Sequence, residues 1–180
     1  GIQQAFAFLV ANTPMTQEMA DAEIAKRTIS FSAGQNPVVI VDENLTDLEA
    51  LSPNFAGLKQ FRQTTSEDLL VLPSSAFIGT LADPNNPASV NGVGVALADR
   101  WVLTSDEKQL VITATDAYNV TIKNVADAKG LAFVDFKDIL TQARTGLQFD
   151  SYTLTTSLAT GGLISLDGVH LTSRGYALMA

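Results

Sequence analysis

From residue 104 onward the apolar positions Leu110, Val111, Ala114, Ala117, Tyr118, Ile122 and Val125 keep to one face of a 3.6-residue period. Thr104-Ser105-Asp106-Glu107 ahead of them fits a capping box, and Lys129-Gly130 supplies a basic last turn and a C-terminal glycine. The pattern predicts one long amphipathic helix. Directly behind it LAFVD (131–135) is short and apolar in the manner of a buried parallel strand, and FKDILTQAR (136–144) returns to a helical pattern, with Asp135 placed to cap it. Helix, strand and helix in succession are the signature of an α/β layered domain.

The N-terminal half is patterned differently. Residues 2–12 and 15–26 are rich in Ala, Gln, Glu and Met and separated by Thr13-Pro14, which predicts a helical pair. TISFS (28–32) and PVVIV (37–41) flank a short Ala-Gly-Gln-Asn segment and read as a hairpin. Residues 69–72 form another apolar run, expected to face the core, and Pro73-Ser74-Ser75 behind it offers hydroxyls for capping a helical turn. Residues 82–95 collect Pro, Asn, Gly and Ser without periodicity and read as a long surface loop. A final helix is expected to begin near Thr172 or Ser173.

Composition narrows the function classes. A 180-residue chain that is 46% hydrophobic and 17% charged can contribute to one substantial core. Its nineteen acidic and eleven basic residues give a formal charge of −8, and the Lys and Arg are scattered, which argues against nucleic acid as a partner. Without cysteine there are no disulfides or thiolate metal sites. The first residues lack the basic start, apolar core and cleavage site of a secretory signal, and no apolar run approaches the roughly 20 residues of a membrane-spanning helix.

The single histidine, His170, must carry any imidazole chemistry of this polypeptide. Asp167 stands three residues before it. In a bent loop that carboxylate can accept a hydrogen bond from Nδ1–H and leave Nε2 free to take a proton, and Gly168 permits the bend. Asp-x-x-His also occurs by chance, so its context matters. The closing words DGVHLTSRGYALMA resemble the last block of SGNH/GDSL hydrolases, where Asp-x-x-His lies on the loop before the final helix. The stretch TATDAYNVTIKNVADAKGLAFVDFKDIL is similar to that family's penultimate unit, a helix with a central Asn and then a strand ending in Val-Asp. The first hundred residues match loosely.

The resemblance implies a three-layer, flavodoxin-like α/β sheet with helices on both faces. The chain would then be the C-terminal part of one such domain (1–180), with 1–45 as a helical pair and hairpin insertion and 82–95 as a long loop bordering the site. It implies ester hydrolysis with Asp167 and His170 as catalytic residues, His170 the general base and Asp167 its orienter. The family's Gly-Asp-Ser nucleophile block and Gly-x-Asn-Asp oxyanion block are absent from the sequence, as is a Gly-x-Ser-x-Gly elbow. The nucleophile is therefore expected from a segment upstream.

Substrates in the resembling family span lipid, short acyl and acetylated-sugar esters, and similar bacterial proteins are often exported, to the periplasm or as outer-membrane lipoproteins. The alternative implied is an inactive hydrolase-like accessory or binding subunit of an envelope complex. Ser74 and Ser75, at the end of an apolar run, are the internal nucleophile candidates, although capping is the commoner role there. Ser165 reads as loop structure and the GVG of 92–94 as loop. Arg174 is expected to meet a carboxylate, and Tyr176 to pack on the sheet beside Gly175. A metal-dependent phosphoesterase using Asp167 and His170 would need more ligands than these, and no cofactor or metal is implied.

Overall fold

The computed structural model describes residues 1–179 as a mixture of helices and short antiparallel sheets in two compact units, Gly1–Ile112 and Thr113–Ala180. In the first unit, α1 (Ile2–Asn12) and α2 (Gln17–Lys26) form the expected helical pair. The second helix starts at Gln17 because the Thr16 side chain accepts from the Met19 N–H and caps it. Phe6, Leu9, Ala20 and Leu48, the last from α3 (Leu48–Leu51), make a buried cluster between them.

The hairpin expected between 28–32 and 37–41 does not form. β1 (Val39–Val41) pairs antiparallel with β2 (Phe61–Gln63), and Ile40 is bridged on its other side by Leu97. Three consecutive apolar residues require neighbours on both edges and both faces. Residues 28–32 form no strand and lie at the surface with Ile29 and Phe31 exposed, whereas Ile40 is fully buried with Leu97 and Val102.

β3 (Leu69–Leu70) and β4 (Val102–Leu103) make a second two-stranded sheet. The run at 69–72 is not core-facing, since Leu69, Leu70, Val71 and Leu72 are all exposed. Ser74 and Ser75 lie inside the 3-10 turn Leu72–Ala76 rather than capping it. The loop at 82–95 is real and tightly tied: the Ser89 hydroxyl donates to the Asp83 and Asn86 carbonyls at 3.0 and 2.7 Å. A Cβ on Gly94 would lie 1.9 Å from the Ala88 carbonyl oxygen, so its GVG segment is loop construction.

A buried charge cluster ties the first unit together. Arg62 on β2 bonds both Asp42 and Asp68, and the Asp68 carboxylate also accepts from Thr65 N at 2.7 Å and Ser105 N at 2.9 Å. The capping box forms as the sequence predicts, with Thr104 N donating to Glu107 Oε2 at 2.7 Å and Glu107 N to Thr104 Oγ1 at 3.4 Å. It opens α4 (Ser105–Lys129), which runs across the division between the units. Gly130 ends that helix at φ +64°, and Leu131 N reaches back to the Ala126 carbonyl in a Schellman arrangement.

The second unit holds α5 (Phe136–Ala143), β5 (Leu147–Phe149), β6 (Tyr152–Leu154) and α6 (Ser173–Met179). Asp135 caps α5 through the Asp138 N–H, as expected. Ala143, Leu154 and Leu163 form its core, flanked by Leu171 and Leu178.

The predicted strand at 131–135 does not form: residues 132–134 make no backbone hydrogen bond among the described residues. A strand exists only where a neighbour satisfies its amides and carbonyls, and no described segment pairs with this one. The described residues form three two-stranded antiparallel sheets and no multistranded parallel sheet. The apolar face predicted for α4 exists, yet Leu110, Tyr118, Ile122 and Val125 on it are 71%, 68%, 54% and 53% exposed.

Candidate active site

Asp167 and His170 come together on the loop that leads into α6. Both ends of that loop are fastened. Ile164 and Leu171 form an antiparallel bridge, Ser165 N donates to the His170 carbonyl at 2.8 Å, and Gly168 N to the Ser165 carbonyl at 3.0 Å. Gly168 takes φ +74°, a left-handed conformation that lets the chain reverse between the two side chains. After His170, Leu171 enters the core of the unit, and the Thr172 hydroxyl donates to the Gly162 carbonyl at 2.5 Å while accepting from the Gly175 N–H at 3.1 Å. Gly175 is buried, and a Cβ there would lie 2.7 Å from the Leu163 carbonyl oxygen. The close approach expected of this glycine is thus what seats α6.

His170 Nδ1 lies 2.7 Å from Asp167 Oδ2. Asp167 Oδ1 accepts from the Val169 and His170 amides, both at 2.9 Å, and from the Ser165 hydroxyl at 2.6 Å. Ser165, which reads as loop structure in the sequence, is therefore part of the constellation. These bonds, the Ser165 hydroxyl first, then the Val169 amide, the imidazole and the His170 amide, hold the Asp167 carboxyl well below the usual carboxylate range. The group stays ionised wherever an imidazole titrates. An ionised acceptor at Nδ1 selects the tautomer with hydrogen on Nδ1 and leaves the lone pair on Nε2.

The side chains of His170 and Asp167 are 70% and 51% exposed. No side chain among the described residues bonds Nε2. Of the two internal serine candidates, Ser75 donates to the Leu72 carbonyl and Ser74 is buried within its own unit. Ser165 directs its proton to Asp167 rather than to Nε2.

Arg174 meets no carboxylate among the described residues. Its guanidinium lies 4.2 Å from the centroid of the Tyr152 ring, a cation–π contact that pattern reading had no local means of finding. Tyr176 is exposed rather than packed on a sheet.

Two features elsewhere were not visible as spacing. One oxygen each of Glu43, Asp99 and Glu107 lie within 4.8 Å of one another, but Glu107 is already occupied by the Thr104 cap. In the second unit an open apolar groove of about 530 Å³ runs between α4 and residues 131–136, lined by Ile122, Val125, Leu131, Phe133, Val134 and Phe136.

No protein-family model matches the chain, and comparison with curated proteins and with solved structures finds no match either.

Proposed function

We propose that the protein is a serine ester hydrolase of the SGNH/GDSL type, an acylhydrolase, lipase or esterase, in which His170 is the general base and Asp167 its orienting carboxylate. The observation that carries the reading is the 2.7 Å contact between Nδ1 and an Asp167 carboxylate that is itself held by three further donors. The nucleophilic serine and the oxyanion donors come from a segment upstream of this chain.

In this mechanism Nε2 takes the proton of the serine hydroxyl as its oxygen bonds to the acyl carbon. Asp167 stabilises the resulting imidazolium without itself becoming protonated. The imidazolium then protonates the leaving alcohol as the C–O bond breaks and the acyl-enzyme forms. Water repeats the sequence and releases the acid, with no cofactor required. The substrate is a small-molecule, lipid or glycan ester, and the site of action is the periplasm or the outer membrane, where the protein is a lipoprotein.

The finer fold belongs to the same proposal. A three-layer, flavodoxin-like sheet assembled with the upstream segment pairs residues 131–135 as a parallel strand and covers the apolar face of α4. Support comes from the unpaired backbone at 132–134 and the exposed Ile122, Val125, Leu131 and Val134. The high exposure of His170 favours a second reading, an accessory or binding subunit of an envelope complex that keeps the dyad without a nucleophile.

Hydrolysis of p-nitrophenyl acyl esters by the natural protein and its His170→Gln variant separates the two. Loss of turnover by on the order of 10⁴-fold in the variant is expected for the hydrolase. Hydrolysis equal in both proteins, or absent from both, refutes it.

A further inference from the structure

The Asp167 carboxylate is fastened from both arms of its loop. Val169 and His170 donate from the C-terminal arm through backbone amides, and Ser165 donates from the N-terminal arm through its hydroxyl. Ser165 is itself fixed, because its amide and carbonyl both bond across the loop, to the His170 carbonyl and the Gly168 amide. The torsion that turns a carboxylate about its Cβ–Cγ bond is broad and soft. Two amides from one arm anchor Oδ1 but leave the plane free to tilt; a third, shorter contact from the other arm restrains it. The partition of the bonds then matters: Oδ1 takes all three of these donors, and Oδ2 is reserved for His170 Nδ1 at 2.7 Å.

We propose that Ser165 is a positioning residue, whose hydroxyl pins Asp167 Oδ1 so that Oδ2 keeps the imidazole in the Nδ1–H tautomer with Nε2 open. This deepens the hydrolase reading and rests on it for its catalytic meaning. The carboxylate is half exposed, and water competes for each of its lone pairs. The Ser165 contact removes one orientation from that competition. Its proton points at the carboxylate, so the same hydroxyl is not activated as a nucleophile by the imidazole.

The test reads the imidazole nitrogen resonances of His170, assigned by their loss in the His170→Gln variant. In ¹⁵N-labelled natural protein, the Nδ1 and Nε2 shifts of the neutral ring report the tautomer directly. Hydrogen on Nδ1 is expected in the parent, a preference abolished in Asp167→Ala. Ser165→Ala is expected to move the tautomer ratio at least about threefold toward Nε2–H, and Ser165→Thr, which keeps the hydroxyl, to restore it. A Ser165→Ala spectrum that superimposes on the parent overturns the proposal, as does failure of Ser165→Thr to restore it. The readout is independent of turnover. A moved tautomer in a protein that hydrolyses no ester sinks the hydrolase reading alone, while His170-dependent hydrolysis with an unmoved tautomer sinks the positioning role alone.

Discussion

Asp68 is the place where one substitution should cost the first unit most. Its carboxylate is fully shielded and accepts two bonds from Arg62, at 2.7 and 2.9 Å, two from the amide and hydroxyl of Thr65, and one from the Ser105 amide at the start of α4. Asp68→Ala leaves Arg62, also buried, with Asp42 as its one carboxylate and strips two amides of their acceptor. Removing one partner of a buried pair costs about 3–5 kcal/mol, and water entering the vacated space keeps the lost amide bonds from adding fully to that figure. Asp68→Asn keeps the shape and loses the charge, so about 2–3 kcal/mol is expected. Urea unfolding followed by the fluorescence of Trp101, the sole tryptophan, stacked on Phe77 in the same unit, measures both.

The same bonds set a pH dependence. Burial pushes the Asp68 carboxyl up, but the bonds from Arg62, Thr65 and Ser105 outweigh it and hold the group well below its ordinary range. A depressed carboxyl contributes stability above its unfolded value, near 3.9, and loses it as pH falls toward the folded value. The gap between parent and Asp68→Asn should therefore be full at pH 7 and narrow below about pH 4. A loss under about 1 kcal/mol for Asp68→Ala, or a gap unchanged between pH 7 and 3, refutes the account.

Gly175→Ala drives a Cβ to within 2.7 Å of the Leu163 carbonyl oxygen and 2.9 Å of the Leu171 Cβ, so α6 must shift. A loss of roughly 1–3 kcal/mol in thermal or urea unfolding is expected, with the His170 imidazole resonances displaced although the residue is five positions away in sequence. Ile122→Lys is nearly silent, within about 0.5 kcal/mol, if its face of α4 is a solvent face. The layered sheet proposed here predicts about 1.5–3 kcal/mol in the natural protein, measured by the same unfolding curves.

What was legible in the sequence is what hydrogen bonds between near neighbours decide. Thr104 and Glu107, Asp135 and Asp138, and Gly130 behind Lys129 each act over three or four residues, and their geometry appeared where the pattern placed it. Asp167 and His170 are of the same kind, since a three-residue spacing with glycine between them is enough to build the contact. The misses depend on distant partners. Val39–Val41 chose Phe61–Gln63 and Leu97 over the adjacent 28–32, and Arg62 gathered Asp42 and Asp68 from twenty residues before it and six after. The segment at 131–135 has the right residues and no described strand partner; strand identity belongs to a pair, and one member cannot declare it. Ser165 was readable in principle as a hydroxyl two residues before the orienting carboxylate, but its role needed the loop closed.

The proposed role of His170 and Asp167 is to serve a nucleophilic serine. It is tested most directly by labelling the natural protein, as its source produces it, with a fluorophosphonate beside its His170→Ala variant and locating any adduct by mass spectrometry. An adduct is expected on a serine upstream of Gly1, formed in the parent and lost or strongly slowed in the variant. No adduct on intact, folded protein, or one formed equally well without the imidazole, would contradict it.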